Sequence, residues 1–209
     1  MAEKNQVGMT IKLIVGGVLL FVVIVGLSYG SFLRKMDMAN ADFQKGDSET
    51  ALQKYNALEQ NLRSVGMIRY IPERDRQNLL LNEARLLYGL DRMDEAAEVL
   101  DRESDIAGGM KDGRFILVRA NIAFRKSIKT FMEAEQKDPQ VLEETLIGIE
   151  DSLRDALRMD PDNWDAKYNL EFIAYLRSQM FEQGQEGKLE ILERVRVQEK
   201  PNLTPEQMH

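Results

Sequence analysis

LRDALRMDPDNWDAKYNLEFIAYLRSQ, residues 153–179, decides the fold, because two stretches of helical periodicity meet there across Pro161. Its acids first suggest a cation loop, with Asp160, Asp162 and Glu171 at the first, third and twelfth places of a calcium-binding pattern. The fifth place holds Trp164, and the sixth, where the sharp turn needs glycine, holds Asp165. Calcium fails on that geometry. Asp160, Asp162 and Asn163 read instead as turn and cap residues, whose side chains accept from backbone N–H groups left unpaired at a helix start. The stretch is the corner between two helices, with Ile149, Leu153 and Ala156 before the proline and Leu170 and Tyr175 after it.

Outward from this corner there is almost no period-two alternation, whereas apolar residues recur three and four apart, which predicts an all-α domain. Two further stretches follow one pattern: a small residue, an aromatic four further on, a small residue eight beyond that, and a large residue four later. In ANADFQKGDSETALQKYNAL, residues 39–58, these are Ala39, Phe43, Ala51 and Tyr55, with Gly46 and Asp47 at the turn. In ARLLYGLDRMDEAAEVL, residues 84–100, they are Ala84, Tyr88, Ala96 and Leu100, with Leu90 and Asp91 at the turn. Small residues sit where antiparallel helices cross closely, bulky ones fill the gap beside them, and proline ends one hairpin so that the next can begin. The pattern resembles the tetratricopeptide repeat, most recognisably from Ala156 to Asn163, although the two earlier units lack the proline. The resemblance implies an α-solenoid, a stack of helical hairpins over residues 34–181.

The middle departs from this pattern. NLRSVGMIRYIPERDR, residues 61–76, is longer than a turn between repeats, and FILVRANIAFRKSIKTFMEAEQ, residues 115–136, reads as a helix with no partner at the usual distance. About seven helices with one irregular hairpin are expected. Residues 182–209 read as a polar tail, with a short amphipathic helix over Leu189 to Val197. Trp164 reads first as packing in the groove between hairpins and second as an exposed anchor for a partner.

Before the repeats, LIVGGVLLFVVIVGLSYGSF, residues 13–32, carries no charge, and as a helix of about 1.5 Å rise per residue it matches a hydrocarbon core about 30 Å thick. Thirteen of its side chains are Leu, Ile, Val or Phe, which favours insertion by very roughly 4–8 kcal/mol before the glycines, Ser28 and Tyr29 subtract. Arg34, Lys35 and Asp37 separate the run from the small triplet Ala39-Asn40-Ala41, so a retained anchor is read here rather than a cleaved signal peptide. The domains follow as a cytoplasmic tail over 1–12, an anchor over 13–33, the repeats over 34–181 and the tail over 182–209. A short amino-terminal tail ahead of a long domain suggests a single pass with that tail inside; in a bacterium the domain lies in the periplasm, tethered to the inner membrane.

Composition narrows the chemistry. A net charge of −7, with lysines and arginines interleaved among acids, argues against nucleic acid as a partner. No cysteine is present and the one histidine is the terminal His209, which removes thiolate chemistry and imidazole-based hydrolysis or zinc ligation. Gly108 and Gly113 have phosphate-loop spacing, but Arg114 and Phe115 replace the lysine and hydroxyl that would hold phosphate and magnesium. Asp94 and Glu95 suit the positive end of a helix dipole, and the eleven methionines suit core filling. No catalytic residue, metal or cofactor is expected.

Function then follows from the repeat. The first helices of stacked hairpins line a preformed groove, and the register places Asn40, Gln44, Leu81, Arg85, Tyr88, Tyr168, Phe172 and Tyr175 on it. This partner-binding groove suits a protein segment with apolar and acidic groups. A narrower resemblance lies in Trp164-Asp165-Ala166-Lys167-Tyr168-Asn169-Leu170-Glu171. It looks like the last repeat of small membrane-anchored bacterial proteins associated with MoxR-type AAA+ ATPases and von Willebrand factor A domain proteins, including the MxaK group of methanol-oxidation accessory proteins. The match covers about twenty residues around Pro161 and implies a non-enzymatic adaptor that assists maturation of a periplasmic enzyme alongside those partners. The competing expectation is a structural subunit of a secretion, pilus or division assembly.

Overall fold

The computed structural model describes residues 2–107, 112–136 and 138–182; the expected amphipathic helix from Leu189 to Val197 and the Gly108 end of the phosphate-loop spacing lie outside them. Among the described residues there are seven α-helices, one 3-10 turn and no strand. The chain divides into two compact units, Met1–Ile71 and Pro72–His209.

The first unit is a hairpin of unequal arms. Helix α1, Ala2–Gln44, runs without a break through the expected tail, anchor and first repeat helix. Its side chains from Leu13 to Leu27 are exposed, and it is long and apolar enough to cross a membrane. Further on, Phe32, Met36, Ala39 and Phe43 recur at helical spacing as a buried stripe. Gly46 then turns the chain at φ +86°, a left-handed value that a side chain disfavours. Asp47 opens α2, Ser48–Ser64, by accepting from the Thr50 N–H at 3.0 Å. Hydrogen bonds from the Lys54 ammonium to Asp42 and from the Tyr55 hydroxyl to Asn40 fix α2 antiparallel along α1. The long link foreseen after α2 contains Gly66 at φ +68° and a 3-10 turn, Ile68–Tyr70.

The second unit begins with α3, Glu73–Gly89, and α4, Met93–Ala107. Asp91, at φ 63°, turns the chain between them, with its N–H on the Tyr88 carbonyl and that of Arg92 on Leu87. Gly46 and Asp47 pair in the same way with Phe43 and Asp42, so the two turns share one geometry. Ala84 and Ala96 are fully buried, as a close helix crossing requires.

One expectation is corrected here. The helix read as unpartnered is α5, Gly113–Glu133, and it packs against α6, Pro139–Met159. Both contain 21 residues against 17 and 15 in the preceding pair, and their link is longer, so their small residues fall out of the expected register. Phe124, Ile128 and Phe131 of α5 join Leu146, Ile149 and Leu153 of α6 and Ile173, Leu176 and Met180 of α7 in one core. Helix α7 is Trp164–Glu182. Gly113 lets the start of α5 approach the end of α6, since a Cβ there would lie 3.0 Å from the Ala156 carbonyl oxygen. Glu150, buried on α6, accepts from Arg154 at 2.9 Å and from Arg177 of α7 at 2.6 Å. Asn163 caps α7 by accepting from the Ala166 N–H at 3.0 Å, which gives the corner after Pro161 its structural role.

Candidate functional site

In the second unit, side chains of the alternate helices α3, α5 and α7 are joined across one face. Asp112, ahead of α5, accepts from the Arg114 N–H at 2.9 Å and from the Arg114 guanidinium at 2.6 Å, which also donates to Asn78 of α3 at 2.8 Å. About two turns along α5 from Arg114, Asn121 accepts from Asn169 of α7 at 2.8 Å. Arg125 donates to the Tyr88 carbonyl at 3.2 Å and lies 5.0 Å from the centre of the Tyr88 ring. Arg114, Asn121 and Arg125 are seven and four residues apart, so a single stripe of α5 carries all these bridges.

Charge on this face is mutually adjusted. Burial holds the Arg85 guanidinium below its ordinary pKa; Arg114 acts in the same direction, while Asp165 of α7 and Asp112 oppose it. Burial alone would raise Asp112, but hydrogen bonds from Arg114 and the positive charges of Arg114 and Arg85 hold it below the ordinary carboxylate value. The face therefore carries Arg85, Arg114 and Arg125 against Asp112, Asp165 and Asp91, the last 3.5 Å from the Arg125 guanidinium, so its charges balance.

Beside it, α7 presents aromatic rings at helical spacing. Trp164 is 79% exposed, Tyr168 69% and Tyr175 62%, and half-buried Phe172 ties them to the core through an edge contact with Phe124, ring centres 6.0 Å apart. Tyr168 stacks on Phe172 at 6.5 Å. The expectation that Trp164 packs between hairpins is thus overturned: it stands at the first turn of the helix with the Lys167 ammonium 5.0 Å from its ring centre. Rigid amphipathic rings of this kind give up little conformational entropy on binding.

The chain matches no family model, no curated protein and no solved structure.

The foreseen groove residues divide accordingly. Asn40 and Gln44 belong to the first unit, where half-buried Asn40 is turned to the Tyr55 hydroxyl rather than outward, and Gln44 is exposed. Leu81 lies in the core and is unavailable to a partner, because its position on α3 faces inward. Arg85, Tyr88, Tyr168, Phe172 and Tyr175 lie in the second unit at or near its surface. Asn78, Asp112, Arg114, Asn121, Arg125, Asp165 and Asn169 were not foreseen as site residues. The polar stripe along α5 was the available signal, legible only once α5 is known to open a hairpin.

Far around α5, by roughly 150° at 100° per residue, a cleft of about 640 Å³ lies against α4 and α6, with Ile122, Ala123 and Phe131 among its lining. Arg119 and Lys126 at its edge are engaged by Asp101 and Asp94. Among the described residues, no group of three or more His, Cys, Asp or Glu could hold a metal ion.

Proposed function

We propose that this chain is a membrane-tethered, non-catalytic adaptor that holds a protein segment on the face formed by α3, α5 and α7. The observation that carries the reading is the row of bonds linking those alternate helices, Asn78 to Arg114, Tyr88 to Arg125 and Asn121 to Asn169, beside the exposed rings of α7. Bonding of first helices to first helices is how a tetratricopeptide-like stack builds a rigid binding face, and the matching turns at Gly46 and Asp91 support a repeated hairpin. A face ordered in advance does not spend binding free energy on its own ordering. Its aromatic rings and guanidinium groups fit a segment bearing apolar and acidic side chains.

The tether is α1, and the resemblance around Trp164 favours a partner from the cell envelope, a von Willebrand factor A domain protein or a MoxR-type ATPase, met on the periplasmic side of the inner membrane. The decisive comparison is co-purification from gently solubilised membranes of the parent chain and a Trp164→Ala/Tyr168→Ala variant. An adaptor gives a salt-sensitive partner that the variant loses while its thermal unfolding stays unchanged. Stoichiometric, salt-resistant association unaffected by the variant would establish a permanent structural subunit in its place.

A further inference from the structure

The first unit contains its own ruler. From Gln44 back to Phe32, the last residue of the apolar run, α1 covers twelve residues, about 18 Å. Helix α2 returns along it for 17 residues, about 25 Å, in a register fixed by the Asp42–Lys54 and Asn40–Tyr55 hydrogen bonds. Ser64, ten residues past Lys54, therefore comes level with about Phe32, ten residues back from Asp42, where the apolar run ends. The headgroup layer of a bilayer is about 5–8 Å deep on each side. The link after Ser64 therefore starts at the inner edge of that layer.

The link that follows has the composition of that layer. Val65 is 69% exposed, Met67 42% and Tyr70 73%, while Ile68 between them is buried and anchors the link to the unit. From Gln60 to Pro72 no acidic residue occurs, in a chain with 35 acids. Arg69 is exposed, and Arg34 and Lys35 are exposed on α1 just beyond the apolar run. Tyrosine and arginine beside short apolar side chains suit the boundary between acyl chains and anionic headgroups.

We propose that Val65–Tyr70 is a second membrane contact, with Val65 and Met67 at the acyl boundary and Arg69 and Tyr70 among the headgroups. The proposal rests on α1 being a membrane span. The two contacts together fix the rotation of the first unit about α1, which a single span leaves free.

Absence of cysteine makes the test direct. The full chain is placed in vesicles of phosphatidylcholine with about one quarter phosphatidylglycerol, carrying one nitroxide at Met67→Cys, Tyr70→Cys, Gln44→Cys or Val22→Cys. Collision with oxygen, which partitions into lipid, is compared with collision with a water-soluble nickel chelate. The oxygen-to-nickel ratio is expected to be highest at Val22, several-fold above that of Gln44 at Met67, and intermediate at Tyr70. Met67 and Tyr70 labels as aqueous as Gln44, with Val22 still in lipid, overturn the proposal and leave the anchor standing. A Val22 label in water overturns both. Met67 and Tyr70 labels shielded from both reagents overturn it in favour of a protein contact between copies.

Discussion

Gly46 at φ +86° and Asp91 at φ 63° occupy the same place in two turns, but only glycine does so without steric cost. Gly46→Ala is expected to destabilise the chain by about 1–2 kcal/mol, measured by thermal unfolding in detergent, whereas Asp91→Gly leaves stability unchanged or raises it slightly. Gly113→Ala tests a different constraint, because the added methyl meets the Ala156 backbone carbonyl at 3.0 Å. A loss of about 1–3 kcal/mol is expected there. Asp112 connects pH to the same helix start. Its folded pKa is held low, so the stability it contributes is present above the unfolded carboxylate value, near pH 4, and is lost as pH falls through the lower folded value. Asp112→Asn is expected to flatten that part of the acid unfolding curve, followed by circular dichroism between about pH 5 and pH 2.

At the scale of elements, the corner after Pro161 and the turns at Gly46 and Asp91 were legible in the sequence because their chemistry is local. Caps, left-handed residues and small crossing residues declare themselves within a few positions. The pairing of α5 with α6 was not legible. Each helix has a further turn or more, their link is longer, and Phe124, Phe131, Leu146 and Leu153 meet by packing rather than by spacing. The aromatic residues of α7 show the same limit in reverse. Trp164, Tyr168 and Phe172 share helical spacing that suits a core stripe as well as a surface one, and only the placement of Ile173, Leu176 and Met180 on the inner side decides between them. Leu81 was misplaced for the same reason. If the Asn121–Asn169 bond joins α5 to α7, single alanine substitutions at the two sites are expected to be non-additive, with a coupling of about 0.5–1.5 kcal/mol in a double-mutant cycle.

At the scale of the whole molecule, one chain combines a helix able to cross a membrane with a helical unit in which α3, α5 and α7 are bonded across one face. A helix long and apolar enough to cross a membrane was plain in the sequence from its uncharged run of twenty residues. Of the face proposed for a partner, Arg85, Tyr88, Tyr168, Phe172 and Tyr175 were expected from register, while the α5 stripe that binds the face together was not. The central claim is that this face, with its aromatic edge on α7, is where an envelope protein is held. It is tested most directly by a photo-crosslinking residue placed in turn at Tyr168, at Tyr175 and at the exposed Thr145 of α6, illuminated in native membranes. One envelope partner attached from Tyr168 and Tyr175 and absent from Thr145 is the result expected. Attachment equal from all three positions, or from Thr145 alone, would contradict the account.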